Sequence, residues 1–492
     1  MTVTGKTTLT PYFISTLSWV LASPFLYGFH IAALNQVQSA LQCFKSVPED
    51  PSFPPYTPPI TNGFPVCIPM SNATFGFVTS VFTIGGLLGS LSSTHLMNKY
   101  GRKGAVKFNS AFILAGSILM TMAWNAELLI AGRFVIGIGA GIAMCVGPIF
   151  LSEIAPQKIK GSVGVMNQLS VVFGLLLAQA IGLAFSTPDT HRWRVVFLTS
   201  SVLCLVQLLL SAGVADTPNW LTAVGRETEA DDVASKLWRD HSPSSQRSPR
   251  PQPDALHAEA QSLLGGADGE EDARSTSSRN ETTIPPLTVA DLFKLEPLRK
   301  PVTAVLLAMF GQQISGINAV IFYSNAILSR VMPGAEGYIS LGIAILNVIM
   351  TFPAVYLIER LGRRSLLLGS MLAVEISLIA LALGLNGGVI ALSTVAILAF
   401  VGSFAIGLGP VPFVLIGELV PFYAASATSS LALSVNWITN FVVGVAFLPL
   451  RDWLSSEDPT KPSGRKGEGQ IFLLFAAAFA VTAVLFAKEY KK

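Results

Sequence analysis

Between Gly311 and Asn325 the chain reads GQQISGINAVIFYSN, and Gln312, Gln313, Ser315, Asn318, Ser324 and Asn325 interrupt an otherwise apolar run. That run, Pro301 to Leu328, is long enough for a membrane helix of about 20 residues. Amides in lipid are costly unless they face protein or water, so the cluster predicts a polar cavity inside a helix bundle. Each amide offers a donor and an acceptor, which suits a ligand rich in hydroxyls. The alternative role for such amides is to bond neighbouring helices together. On an ideal helix Gln312, Gln313 and Asn318 fall at roughly 0°, 100° and 240°, so they cannot share one face. Either they serve different neighbours, or the helix unwinds near Ser315-Gly316, as helices do at midplane sites of transporters.

Charged residues form a second pattern, and it occurs twice. Asn98-Lys-Tyr-Gly-Arg-Lys is matched by Glu359-Arg-Leu-Gly-Arg-Arg, and Ser152-Glu-Ile-Ala-Pro by Gly417-Glu-Leu-Val-Pro. A glycine in a tight turn joins two helices in few residues, and the arginine after it can reach a carboxylate at a neighbouring helix end. Arg102 with Glu153, and Arg363 (beside Glu359) with Glu418, are therefore expected to latch one face of the molecule. The alternative is ordinary charge that only orients the chain in the membrane.

The elements that position these groups follow from composition. Of 492 residues 51% are hydrophobic and 12% charged, with a mean hydropathy of +0.57. Soluble domains carry about 25% charged residues, so this is an all-α polytopic membrane protein. Twelve spans are predicted near 11–34, 72–97, 105–124, 127–151, 162–186, 193–215, 301–330, 337–358, 365–385, 389–417, 424–450 and 470–487. With the doubled motifs they divide into a six-helix bundle at 1–215, a hydrophilic linker at 216–300 and a second bundle at 301–492. Short helices are expected at 227–238 and 287–295, and 241–278, rich in Ser, Pro, Arg and acids, reads as a disordered insert.

Of the 32 Lys and Arg, 23 lie on the side that holds both termini in this topology and 8 on the other, so the termini are expected in the cytoplasm. Cys43 and Cys67 then bracket an extracellular loop, where a disulfide is possible. Pro11–Leu34 is too long for a signal peptide core and lacks a cleavage site. The sequon at Asn72 abuts a span, and that at Asn280 lies on the cytoplasmic side. No nucleotide-binding loop and no metal-ligand set is present, a net charge of +3 gives no nucleic-acid signal, and no cofactor or enzymatic chemistry is expected.

Taken in order, Gly85–Lys103, Gly132–Gly141 (GRFVIGIGAG), Pro148–Gly161, Asn167–Gly174, Gly311–Ser324, Glu359–Arg364 and Gly407–Leu419 resemble the sugar porter family of the major facilitator superfamily. The likeness is close to the facilitative glucose and fructose transporters and their fungal relatives. The resemblance implies two six-helix bundles working by alternating access and a hexose as substrate; a lipid bilayer as the other partner and action as a monomer are expected, with the plasma membrane favoured over a vacuolar or endosomal one. It places sugar-contacting amides at Gln168, Gln312, Gln313, Asn318, Asn347 and Asn436, and pocket or gate aromatics at Tyr323, Phe413 and Trp437.

Departures from the family pattern matter. Ala405 stands where glucose-specific facilitators carry glutamate, and Phe413 where they carry tryptophan, so glucose selectivity is not implied. Ala215-Asp-Thr-Pro-Asn219 replaces a PESPR-like motif without its arginine, and Ala425 stands near the place of another. Lys160 holds a position that is arginine in the pattern. In the first span His30 occupies the place of the aspartate that proton-coupled members pair with the residue matching Arg133. Two cationic groups repel, which favours a neutral imidazole and uniport. Proton–sugar symport, a polyol or pentose substrate, and a sugar sensor remain as alternatives. Glu375 in the ninth span has no evident partner in sequence.

Overall fold

The computed structural model describes residues 10–43, 58–61, 63–156, 159–185, 190–238, 291–318, 336–457, 465–467 and 469–490. The expected insert, Asn280 and Tyr323 lie outside these residues. The first half holds α1 (Pro11–Leu41), α2 (Asn72–Thr121), α3 (Ala126–Ile154), α4 (Lys160–Phe185) and α5 (Arg194–Leu210). Two short helices follow, α6 (Pro218–Ala223) and α7 (Glu227–Leu237), the latter at the place expected. Beyond the insert come α8 (Asp291–Lys294), α9 (Glu296–Ile314), α10 (Glu336–Leu361) and α11 (Arg363–Gly387). The chain ends with α12 (Ile390–Ser403), α13 (Val411–Leu419), α14 (Phe422–Leu454) and α15 (Gln470–Glu489).

Ten helical stretches among the described residues are long and apolar enough to cross a membrane. One of them, Thr74–Thr121, has 48 residues. At 1.5 Å per residue it is twice the length that a 30 Å hydrocarbon core needs, and it breaks at Gly101 (φ 77°, ψ 177°), so it makes two spans. With α9, which starts another, the count reaches the twelve spans of a major facilitator fold. Gly362, the repeat counterpart of Gly101, has almost the same backbone (φ 77°, ψ 160°) before α11. This region is open essentially to glycine alone, which is why both basic turns are built on Gly-Arg.

Side-chain caps start several helices. Thr10 Oγ1 accepts from Phe13 N–H, Ser71 Oγ from Thr74 N–H and Asn125 Oδ1 from Leu128 N–H. Within the first bundle, backbones meet through small residues: a Cβ on Gly141 would collide with Gly86 O, and one on Gly174 with Phe25 O. Without a hydrophobic drive in lipid, this close packing is what associates the helices.

Among the described residues the two halves touch along two seams and at points between them. In one, Phe173 of α4 meets Phe352 of α10 edge to face at 6.1 Å, and Gln36 Nε2 of α1 donates to Gly337 O of α10 at 3.0 Å. In the other, Thr94 Oγ1 of α2 donates to Ser426 O of α14 (3.1 Å), and Ser90 and Ser434 hydroxyls lie 3.2 Å apart. One end of the molecule carries a Cys43–Cys67 disulfide, with Trp193 Nε1 donating to Val66 O beside it (2.8 Å). The opposite end carries the charged turns.

Candidate functional site

The polar interruption in α9 is a break in the helix. α9 ends at Ile314, Ser315 Oγ donates back to Gln312 O (2.7 Å), and Gly316 turns the chain with φ 81° before helical backbone resumes at Ile317. The turn brings together amides that a continuous helix would hold on different faces. Asn318 Nδ2 donates to Gln313 Oε1 (2.6 Å), and Gln313 Nε2 to Asn436 Oδ1 of α14 (3.0 Å). Asn436 Nδ2 donates to Gln312 Oε1 (2.9 Å), and Gln312 Nε2 to both Leu408 O and Gly409 O (3.0 Å each). All four amides are buried. Neutral donors and acceptors in one connected chain can grade and exchange hydrogen bonds; they offer no nucleophile and no acid–base pair.

The other expected contacts that lie among the described residues are also buried. Gln168 of α4 is buried against α14's half of the molecule, with its Nε2 3.3 Å from where a Cβ on Gly409 would stand. Asn347 of α10 is buried, and its Oδ1 has no hydrogen-bond partner among the described residues. Trp437, next to Asn436, is buried with its Nε1 likewise unpartnered. Its ring meets Tyr27 (5.8 Å) and Phe82 (5.6 Å) edge to face, and Gly86 leaves room for it. Phe413 is buried in α13. Tyr27 and Phe82 were not singled out from sequence, because an aromatic in a span has no polar signature that separates packing from pocket.

His30 and Arg133 do meet, through the backbone. Arg133 Nη1 donates to His30 O (2.9 Å), and its guanidinium lies 4.4 Å from the Phe82 ring centre. The imidazole points elsewhere: His30 Nε2 is 2.6 Å from Ser200 Oγ and 3.3 Å from Ser117 Oγ, and those hydroxyls are 3.1 Å apart. Glu375 of α11 is half-buried, and its Oε2 has no hydrogen-bond partner among the described residues. A groove of about 640 Å³ between α1, α4 and α5, lined by Trp19, Phe25, Ser170 and Leu210, contains none of the expected site residues.

At the charged end each arginine faces a carboxylate of its own half. Arg102 Nε and Nη2 both lie 3.0 Å from Glu153 Oε1, with both side chains about 5% exposed or less. Arg363 Nε and Nη2 grip Glu418 at 2.6 and 2.7 Å. The crossing between halves runs through Glu359, whose Oε1 accepts from Ser162 N–H (3.0 Å) while its Oε2 lies 3.4 Å from Arg363 Nη1. Two further members, Asp216 and Thr217, were legible only as remnants of the PESPR-like motif. Thr217 Oγ1 donates to Glu153 Oε2, and Asp216 Oδ1 accepts from the N–H groups of Arg102 (2.9 Å), Lys103 (3.3 Å) and Thr217 (2.9 Å). Burial pushes the Asp216 carboxyl above the usual carboxylate range, against the pull of those three N–H groups and Arg102.

The fit of Asp216 depends on the absent side chain at Gly101, since a Cβ there would collide with Asp216 Oδ2. Gly101→Ala also forces alanine to positive φ, at a cost of about 1–3 kcal/mol before the collision is counted. We expect its melting temperature in detergent to fall by several degrees, while Gly362→Ala, with open space around it, falls less. Equal melting curves for the two variants would refute the Asp216 account.

A profile of the family described as "Sugar (and other) transporter" matches residues 16–492. The chain is 32% identical over 459 residues to "Probable metabolite transport protein YBR241C" of Saccharomyces cerevisiae, covering 93% of this chain and 88% of that protein. It is 31% identical to "Solute carrier family 2, facilitated glucose transporter member 5" of Homo sapiens, covering 88% of this chain and 82% of that protein. Its fold is similar to that of the solved proton:xylose symporter XylE, with a TM-score of 0.71, 20% identity, and coverage of 97% and 95% of the two chains.

Proposed function

From a chain that belongs to the sugar (and other) transporter family of the major facilitator superfamily, we propose a carrier that moves a glucose- or fructose-like hexose down its gradient. The observation that supports this most is the neutral amide chain from Asn318 through Gln313 and Asn436 to Gln312. Each of these amides already holds another, so a sugar hydroxyl entering the site exchanges one hydrogen bond for one of similar strength. The resulting affinity is modest, which release on either side of the membrane requires. Asn347 Oδ1 and Trp437 Nε1, buried without partners among the described residues, are where a hydroxyl gains a bond outright.

In this reading Gln168, Gln312, Gln313, Asn318, Asn347 and Asn436 contact the sugar, and Trp437, Phe413 and Tyr323 wall it. Residues 1–215 and 301–492 rock about that site, joined by the linker 216–300. The charged end faces the cytoplasm with both termini, following the excess of Lys and Arg there, and the membrane is the plasma membrane. Relatives described as facilitated glucose transporters support a hexose over other solutes.

The mechanism is uniport. Arg133 is spent on a backbone carbonyl and an aromatic face, and His30 on serine hydroxyls, so the pair has no ionic bond for a proton to break. In vesicles holding the purified protein, radiolabelled D-fructose or D-glucose is expected to equilibrate without accumulating when an inward proton gradient is imposed. His30→Asn, which keeps a hydrogen-bonding group, should retain uptake within about threefold, the worth of a neutral hydrogen bond at the low end of its range. Gradient-driven accumulation that His30→Asn abolishes would establish proton symport instead.

A further inference from the structure

Between α12 and α13 the helix widens into a π turn, Phe404–Leu408, where Gly409 N–H reaches five residues back to Phe404 O (2.8 Å). Ser370 of α11 is fastened to this turn by both ends of its hydroxyl. Leu408 N–H donates to Ser370 Oγ (2.9 Å), and Ser370 Oγ donates to Ser403 O (2.7 Å). Ser403 O is the carbonyl five residues before Leu408, so the hydroxyl bridges the N–H and C=O that a π turn points toward each other. A side chain seated on a helical ladder in this way holds the ladder open. Gly407 makes the approach possible, since a Cβ there would lie 2.5 Å from Ser370 Cβ and 2.8 Å from Leu366 O.

The far side of the same turn faces the amides. Pro412 has no N–H to offer Leu408 O, which leaves that carbonyl for another donor. Gln312 Nε2 takes it together with Gly409 O, and Gln312 Oε1 then orients Asn436, Gln313 and Asn318 in turn. We infer that Ser370 is a positioning residue for the transport site: by bracing the π turn it sets the two carbonyls that aim Gln312 and, through it, the amide chain. This rests on the reading of those amides as the sugar site. Nothing in sequence marks Ser370 apart from Ser365 and Ser377, the other two serines of α11.

The test uses the full chain in nanodiscs. In Ser370→Ala, hydrogen exchange in peptides covering Phe404–Phe413 is expected to quicken by about two- to tenfold, the worth of one neutral hydrogen bond, with the rest of α11 unchanged. The KM for radiolabelled D-fructose or D-glucose should rise by a similar factor, with maximal rate and melting temperature near wild type. Ser370→Cys, a weaker donor, should fall between. Unchanged exchange overturns the inference whether or not either hexose is carried, and faster exchange with unchanged KM confines Ser370 to helix packing and overturns it too. If the wild type carries neither hexose, the transport reading fails by itself. The inference then stands or falls on exchange in Ser370→Ala, Gln312→Ala and the double variant. Non-additive effects support the coupling, and additive ones refute it.

Discussion

Gln312→Ala is expected to lower hexose uptake by at least about tenfold while surface expression stays near wild type. The side chain is 4% exposed and makes three hydrogen bonds, two given to Leu408 O and Gly409 O and one received from Asn436. Truncation takes a buried donor from two carbonyls and a buried acceptor from Asn436, at about 1–3 kcal/mol for each group left without a partner. It also leaves Asn436 held on that side only by Met309, whose O lies at 3.3 Å, which loosens the aim of Gln313 and Asn318 behind it. Since 1.4 kcal/mol is a factor of about ten, loss of a single oriented contact to the sugar is enough for the predicted effect. Asn318→Ala, at the end of the chain with one side-chain hydrogen bond among the described residues, should cost less than Gln312→Ala. Wild-type uptake in both variants would move the site away from this cluster, and equal losses would argue against a chain with Gln312 as its hub.

Glu153→Ala is expected to be the most damaging change at the charged end. Its carboxylate takes two nitrogens of Arg102 on one oxygen and the Thr217 hydroxyl on the other, at a site about 5% exposed. Removing one partner of a buried pair leaves the other charge with only part of its compensation, a loss of about 3–5 kcal/mol. The joint between the second, third, fourth and sixth spans depends on that carboxylate, so the charged end should open and outward-facing molecules become scarce. Cysteine labelling from the disulfide end should fall by more than about tenfold. Exchanging the charges, Arg102→Glu with Glu153→Arg, should restore part of it. Glu418→Ala removes an equally well-formed grip on Arg363, but those side chains are 24% and 20% exposed, and water softens the loss. The ordering is the sharp part of the prediction. If Glu418→Ala proves as severe as Glu153→Ala, burial is not what governs these latches.

The sequence by itself determined the class, the span pattern and the doubled charged turns, because each is written in local chemistry. A 30 Å apolar layer demands long apolar runs, and positive φ demands glycine, so twelve spans and the Gly101-Arg102 and Gly362-Arg363 turns were readable without coordinates. The amides at Gln312, Gln313 and Asn318 were also conspicuous, since a polar group in an apolar run has few explanations. What those amides bond to was decided only by the tertiary structure. The chain through Asn436, the carbonyls of Leu408 and Gly409, and the bracing hydroxyl of Ser370 joins residues from 38 to 124 positions apart, brought close by helix packing. The same holds for Arg133, whose guanidinium meets the carbonyl of His30 and the face of Phe82 while the imidazole turns to Ser117 and Ser200. Residue types report which groups must be satisfied. Which partner satisfies them depends on the direction each helix presents its side chains, and that direction is set by contacts far away in sequence.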